Sequence, residues 1–149
     1  MDVSSMDISA SGMRAQRLRM EVIARNLAHM ETTSVRTEVR ETADGGTAAV
    51  HQPYRRQRVV LAAGPGGFGV AVPRVVEDGS PLRAEHDPGH PHAVPAASGR
   101  EDAGTVYYPN VHPIEEMVDM VAASRAYEAN LSAVEAFKAM SAASLRILA

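Results

Sequence analysis

The last quarter of the chain predicts one long amphipathic helix, and this feature constrains the fold more than any other. Pro113, Glu115 and Glu116 mark its start, because proline suits a first turn and negative charge is favourable at the positive end of the helix dipole. A helix over residues 112–148 is about 50 Å long at about 1.5 Å per residue. A small β element cannot cover its apolar stripe, so another long helix is needed beside it.

The N-terminal segment predicts a second, shorter amphipathic helix over residues 4–30. Four large apolar residues recur there every seven positions: Met6, Met13, Met20 and Leu27. A seven-residue apolar period keeps one seam facing a partner helix. The positions that we predict to pack between subunits on the two helices are Met13, Met20, Leu27, Met117, Val121, Leu131 and Leu145.

The region between the helices holds eight of the nine prolines and ten of the eleven glycines. The runs 58–61 and 70–72 flank a glycine-rich segment at 64–69 and predict a hairpin. Segments 41–53 and 86–104 are predicted to be loops. The expected fold class is therefore α+β, with long N- and C-terminal amphipathic helices packed as a coiled-coil-like pair and a small β-hairpin-rich middle region. The predicted domain bounds are 1–33, 34–110 and 111–149.

The apolar content predicts a thin core that depends on neighbouring molecules. Hydrophobic residues make up 45% of the 149 positions, but there is no Trp, and Phe and Tyr number only two and four. Small side chains bury little area, and burial stabilises by about 25 cal/mol per Å². Oligomerisation is therefore expected to supply part of the stability. The ends also differ in charge: residues 1–60 carry nine Arg and seven acids, and residues 101–149 three basic and seven acidic residues.

Composition also disfavours several classes of function. The absence of Cys excludes disulfides and thiolate chemistry. Basic residues do not alternate with aromatic ones, so no nucleic-acid partner is expected. The first residues lack a positive region followed by an apolar run, and no stretch approaches about 18 consecutive apolar residues. We therefore expect no cleaved signal peptide and no direct membrane insertion, with an amphipathic membrane-surface protein as a less favoured alternative.

Two loop motifs leave a small metal- or nucleotide-binding module as a further alternative. Residues 64–69 match the G-x-G-x-x-G pattern, but a strand pattern follows where a dinucleotide fingerprint requires a helix. His86, His90 and His92 are ligand types for Zn²⁺ or Ni²⁺, but the prolines and glycine between them provide no rigid element. We predict no catalytic residue, no cofactor and no metal.

Two segments resemble the signatures of the bacterial flagellar basal-body rod and hook axial proteins. Residues 23–33, IARNLAHMETT, are similar to the N-terminal signature, although His29 and Ser34 replace its second Asn and its Gly. Residues 108–120 and 124–130 are similar to the C-terminal signature. The resemblance marks these signature or interface residues: Asn26, Ala28, Thr32, Thr33, Asn110, Arg125, Tyr127 and Asn130.

The short length, residues 53–56 and residues 87–91 resemble one group within the family, the proximal rod proteins of the FlgC type. The resemblance implies a structural subunit, not an enzyme, that crosses the flagellar type III export apparatus uncleaved and assembles by helix packing into the periplasm-spanning rod. It implies three kinds of partner: other flagellar rod proteins, the basal adaptor or export gate, and copies of the chain itself. Another rod or hook subunit is the alternative within the family.

Overall fold

The computed structural model describes residues 5–41, 47–95 and 101–148, which form two long helices and three pairs of short strands. The helices are α1 (Ser5–Ala28) and α2 (Pro113–Leu148). The strands are β1 (Arg36–Glu41), β2 (Thr47–Gln52), β3 (Gln57–Ala63), β4 (Val70–Glu77), β5 (Arg83–His86) and β6 (Thr105–Tyr108). The predicted α+β class, with terminal helices around a middle of small strand pairs, is confirmed.

The chain divides into two units, and each is assembled from segments that are distant in sequence. Unit 1 comprises Met1–Ala24, Gln57–Val76 and Ile114–Ala149, and unit 2 comprises Arg25–Arg56 and Glu77–Pro113. Unit 1 therefore holds most of both helices and the β3–β4 pair, and unit 2 holds the β1–β2 and β5–β6 pairs. The predicted division at 1–33, 34–110 and 111–149 follows chain order instead and stays a prediction.

One face of α1 is buried within unit 1. Its members recur at alternating intervals of three and four residues: Gly12, Ala15, Arg19 and Val22. This spacing keeps side chains on a single face of a helix. Gly12, Ala15 and Val22 are buried, whereas Arg19 is half-buried.

Helix α2 carries a matching inward face with the same alternation of intervals. Its members are buried or half-buried: Glu116, Met120, Ala123, Tyr127, Asn130 and Val134. Ala123 and Glu116 are the most deeply buried of them. The face mixes small, apolar and polar residues, and for that reason a search for large apolar side chains does not find it.

Two contacts show that α1 and α2 pack antiparallel. Arg19 Nη2 lies 2.7 Å from Asp119 Oδ1, and a Cβ added at Gly12 would lie 3.0 Å from Asn130 Oδ1. Asn130 Nδ2 donates to the carbonyl oxygen of Ala126 at 2.7 Å, which holds the amide in place. The ion pair is partly exposed and contributes at most about 1 kcal/mol. The absence of a side chain at Gly12 is what allows the two helices to approach so closely.

The predicted hairpin is present as β3 and β4, joined by residues 64–69. Gly66, Gly67 and Gly69 have φ values of 75°, 82° and 71°, a region that favours glycine. Val70 N–H donates to Ser11 Oγ at 2.9 Å, which ties the hairpin to α1. Because strand β4 follows these glycines, they form a turn and do not open a nucleotide-binding helix.

The prediction of a loop over residues 41–53 is wrong, because β2 occupies much of that segment. β2 pairs antiparallel with β1, with Arg36 opposite Gln52. The predicted loop at 86–104 is flanked by a second unpredicted pair, β5–β6. These strands carry mostly charged, small or polar side chains, so backbone hydrogen bonds and not apolar alternation hold them together. Residues 42–46 and 96–100 lie outside the described residues.

Replacing Gly12 by leucine is expected to destabilise unit 1 by about 1–3 kcal/mol, as overpacking of a tight contact does. The new side chain meets the Asn130 amide, although leucine favours a helix more than glycine does. Urea unfolding followed by circular dichroism measures the effect. Ala24→Leu, on the exposed side of the same helix, is the matched control, and equal stability of the two variants would contradict the packing at Gly12.

Candidate assembly surface

Away from its inward face, α2 exposes a row of large apolar side chains. Ile114, Val118 and Val121 are spaced by four and three residues and share one face of the helix. Ile114 is 79% exposed and Val118 is 64% exposed, and Met117 beside them is also exposed. Contiguous exposed apolar surface of this kind marks a site of interaction with another molecule.

The last turns of α2 are not covered by any of the residues that the structure describes. Every residue from Glu135 to Arg146 is exposed, including Met140 at 62% and Leu145 at 68%. In the antiparallel pair Gly12 lies against Asn130 and α1 begins at Ser5, so the described part of α1 ends near Phe137 and does not reach the turns beyond it. Phe137 and Met140 are three residues apart and share a face of the helix, whereas Leu145, five residues after Met140, points in another direction.

The predicted packing positions fall on two kinds of surface. Those on α2 are exposed: Met117, Val121, Leu131 and Leu145. Those on α1 are half-buried and lie beside its inward face: Met13, Met20 and Leu27. Their role in packing between subunits stays a prediction.

The N-terminal signature forms a hydrogen-bonded junction in unit 2 where α1 ends. Asn26 is 1% exposed, and its Oδ1 accepts a hydrogen bond from Tyr54 Oη at 2.9 Å. The His29 ring stacks on Tyr54 with centroids 4.8 Å apart, and Tyr54 N–H donates to the Thr32 carbonyl oxygen. These contacts fix the direction in which the chain leaves α1.

The departures at His29 and Ser34 have structural roles of their own. His29 Nδ1 lies 3.2 Å from Thr32 Oγ1 in addition to the stacking of its ring. Ser34 Oγ lies 3.0 Å from His51 Nδ1. In the described ranges every residue with a positive φ is a glycine, so the backbone at Ser34 has no need of one. Thr33 is buried, and Ala28 is exposed.

Asn110 joins three separate backbone segments within unit 2. Its Oδ1 accepts from the Arg56 backbone N–H at 2.9 Å, and its Nδ2 donates to Ser80 Oγ at 2.7 Å. Arg56 also forms an ion pair with Asp78, at 3.7 Å, and their backbones are hydrogen-bonded. Asn110 is buried, so its amide is satisfied by the protein and stabilises the approach to α2.

The remaining signature residues lie on α2. Tyr127 and Asn130 are half-buried on its inward face, and Arg125 is exposed. Of the three signature residues on α2, two thus face into their own unit.

The described residues also bear on two of the alternative functions, metal binding and membrane association. Among the residues that the structure describes, no three His, Cys, Asp or Glu side chains are arranged to hold a metal ion. Neither of the helices, as far as they are described, is long and apolar enough to cross a membrane.

The chain is similar to known proteins over almost all of its length. Residues 102–147 match the C-terminal region of the flagellar basal body rod FlgEFG proteins. The flagellar basal-body rod protein FlgC of Borreliella burgdorferi is 39% identical, covering 97% of this chain and 96% of the relative. That of Bacillus subtilis is 36% identical, covering 96% and 95%. That of Salmonella typhimurium is 35% identical, covering 90% and 88%.

The chain belongs to the FlgC family of flagellar basal-body rod proteins. The family that the signatures predict is thereby confirmed. As a FlgC-type protein it is a structural component of the basal-body rod and not an enzyme, and its partners include other rod components. Full-length similarity to FlgC proteins favours this type over the alternative of another rod or hook subunit.

Several residues of the FlgC-type junctions escape sequence reasoning. Arg56 and Tyr54 lie in the motif at 53–56, which resembled the group without revealing a contact. Asp78 and Ser80 belong to no motif. The Arg56–Asp78 ion pair and the hydrogen bonds from Asn110 join segments that are distant in sequence, so they leave no periodic signal. Covariation between these positions and Asn110 is the signal that would find them.

Removing the Tyr54 hydroxyl with Tyr54→Phe is expected to lower the free energy of unfolding by about 1–2 kcal/mol, because the buried side-chain Oδ1 of Asn26 loses the hydrogen bond from that hydroxyl. Thermal unfolding of the purified chain measures the loss. Tyr108→Phe is the matched control, since the ring keeps its contact with the Arg83 guanidinium. If both variants unfold at the same temperature, the Asn26–Tyr54 bond does not stabilise the junction.

Proposed function

We propose that this chain is a proximal-rod subunit whose terminal helices pack against those of neighbouring subunits to build the periplasm-spanning drive shaft. The neighbours are copies of the chain itself and other rod proteins. The observation that carries the proposal is the exposed apolar surface of α2, which α1 is too short and too narrow to cover. The coiled-coil-like pairing of helices then continues from one subunit to the next.

Charged side chains lie on the exposed surfaces of both helices and can pair between α1 of one subunit and α2 of another. Helix α1 exposes three arginines, Arg14, Arg17 and Arg25, and two acids, Asp7 and Glu21. Helix α2 exposes three acids, Glu115, Glu128 and Glu135, and three bases, Arg125, Lys138 and Arg146. Opposite charges around an apolar contact fix its register and disfavour incorrect pairings. Arg17 is also close to Glu21 on its own helix, at 3.4 Å, but both side chains stay largely exposed and open to other partners.

We infer that the subunit passes through the flagellar type III export apparatus without a cleaved signal peptide and contacts the basal adaptor or export gate. The size of the core supports passage in an unfolded or partly folded state. The largest fully buried side chains of the described residues include no aromatic one: Glu116, Val22, Val106 and Asn26. A core of small side chains contributes little free energy of unfolding.

Leu131→Asp tests the packing surface of α2. Leu131 is 40% exposed, so the change should leave the purified subunit folded while placing a charge in the proposed contact between subunits. We expect loss of motility and loss of the rod from isolated basal bodies when the variant replaces the native protein. Circular dichroism of the purified variant verifies that its helix content is unchanged.

The matched control is Ala133→Asp, which adds the same charge to an exposed position two residues away that carries no large apolar side chain. It is expected to retain motility. A motile Leu131→Asp strain with normal basal bodies would refute the packing role of this surface. Loss of motility in both variants would show that the added charge on α2, and not the loss of the apolar contact at Leu131, abolishes motility.

A further inference from the structure

Three histidines from two separate stretches of chain lie together in unit 2. His51 is in β2, and His90 and His92 lie in the segment 87–95 that follows β5. The ring centroids of His51 and His92 are 4.4 Å apart, and those of His90 and His92 are 5.3 Å apart. His86, which is close to the last two in sequence, is instead exposed in β5. The imidazole cluster therefore joins the β1–β2 pair to segment 87–95.

Hydroxyl groups anchor two of the three rings. His92 Nδ1 lies 2.7 Å from Oγ1 of Thr33, the last residue of the N-terminal signature. His51 Nδ1 lies 3.0 Å from Ser34 Oγ and 3.2 Å from Thr37 Oγ1. A hydroxyl can either donate or accept, so these contacts accommodate a neutral ring in either tautomer.

The hydrogen bonding of the third ring, His90, is more restricted. His90 Nδ1 accepts a hydrogen bond from the His92 backbone N–H at 3.0 Å. A protonated imidazole has two donors and no acceptor, so protonating His90 removes this bond. The observed arrangement thus requires a neutral His90.

The electrostatic surroundings also oppose protonation of His92. Burial lowers the pKa of His92 from its ordinary value of 6.5, and the neighbouring His51 and His90 lower it further. The Tyr108 ring lies 6.5 Å from the His90 ring, and the Arg83 guanidinium lies 4.6 Å from the Tyr108 ring.

Three acids belong to the elements that meet at the cluster: Asp87 in segment 87–95, and Glu38 and Glu41 in β1, of which the Glu41 side chain lies outside the described ones. Asp87 Oδ1 accepts from the Gly89 backbone N–H within its own turn. Glu38 follows Thr37 on β1, and successive side chains of a strand point to opposite faces, so Glu38 points away from His51. Glu38, the acid of β1 whose side chain the structure describes, therefore does not face the cluster.

We propose that His51, His90 and His92 form a pH-sensitive latch, which holds segment 87–95 against the β1–β2 pair at neutral pH and releases it on acidification. Because the pKa of His92 is lowered in the closed cluster, released His92 binds a proton more readily than closed His92 does. The closed form is therefore at full strength above the ordinary histidine range and loses stability as pH falls below about 6.5. Release also frees Thr33 from His92, which loosens the chain at the end of the N-terminal signature.

Hydrogen exchange of the full chain tests the latch through two backbone bonds of the same segment. Val94 N–H donates to the Thr105 carbonyl oxygen at 2.9 Å, and Gly104 N–H donates to the Val94 carbonyl oxygen at 2.8 Å. Exchange at pH 7.5 and pH 5.5, corrected for the intrinsic rate and with a metal chelator present, gives the opening equilibrium. We expect that equilibrium to rise by up to about tenfold per pH unit for each proton taken up on opening.

The variants His92→Gln and His51→Gln replace an imidazole by an amide that cannot titrate, and each is expected to reduce the pH dependence. His112→Gln removes an exposed imidazole outside the cluster and should behave as the unmodified chain does. Equal opening at both pH values in the unmodified chain would overturn the proposal, as would an unchanged pH dependence in both cluster variants. So would a reduced pH dependence in the control.

A nuclear magnetic resonance titration of the unmodified chain gives a second test that does not depend on folding of the variants. The titration midpoint of the His92 ring is expected below 6.5 and should coincide with the loss of the contact between segment 87–95 and β2. A midpoint at or above 6.5, or a contact that persists below the midpoint, would rule out the latch.

Discussion

The close approach of α1 and α2 at Gly12 and Asn130 determines which helix surfaces are buried within unit 1 and which remain exposed. The inward faces of both helices use small and polar residues, so the contact is tight but buries little apolar area. The large apolar side chains are displaced to the flank of α1 and to the outer side of α2. A chain organised in this way gains much of its hydrophobic stabilisation only when neighbours cover those side chains.

Much of the fold is predictable from the sequence because local signals determine it. Both helices follow from their apolar periodicity, the start of α2 from Pro113 and its acids, and the β3–β4 hairpin from its glycines. The β1–β2 and β5–β6 pairs are not predictable in this way. β5, with the sequence RAEH, is exposed throughout, and β1, RTEVRE, is mostly charged, so neither carries the alternation of a half-buried strand.

The sequence predicts that α2 carries an apolar surface for assembly, but it does not predict which of the large apolar residues face inward and which stay exposed. The large apolar residues of α2 appear in the sequence as one stripe, yet Tyr127 and Val134 turn inward while Val121 and Leu131 stay exposed. Hydrophobic periodicity gives no weight to Glu116 or Asn130, although both lie on the inward face. The family signatures identify the junction residues, but which atoms meet depends on segments tens of residues apart, and no local pattern records that.

The interleaving of the two units has a consequence for the order in which the chain acquires its structure. Unit 1 requires residues before 25 and after 113, and unit 2 is closed by the segment that ends at Pro113. Unit 2 can complete its contacts once Pro113 is available, whereas a chain that emerges N-terminus first cannot complete unit 1 until its final helix is available, and contacts of such long sequence separation form slowly. Unit 1 can therefore become ordered only once the last residues of the chain are available.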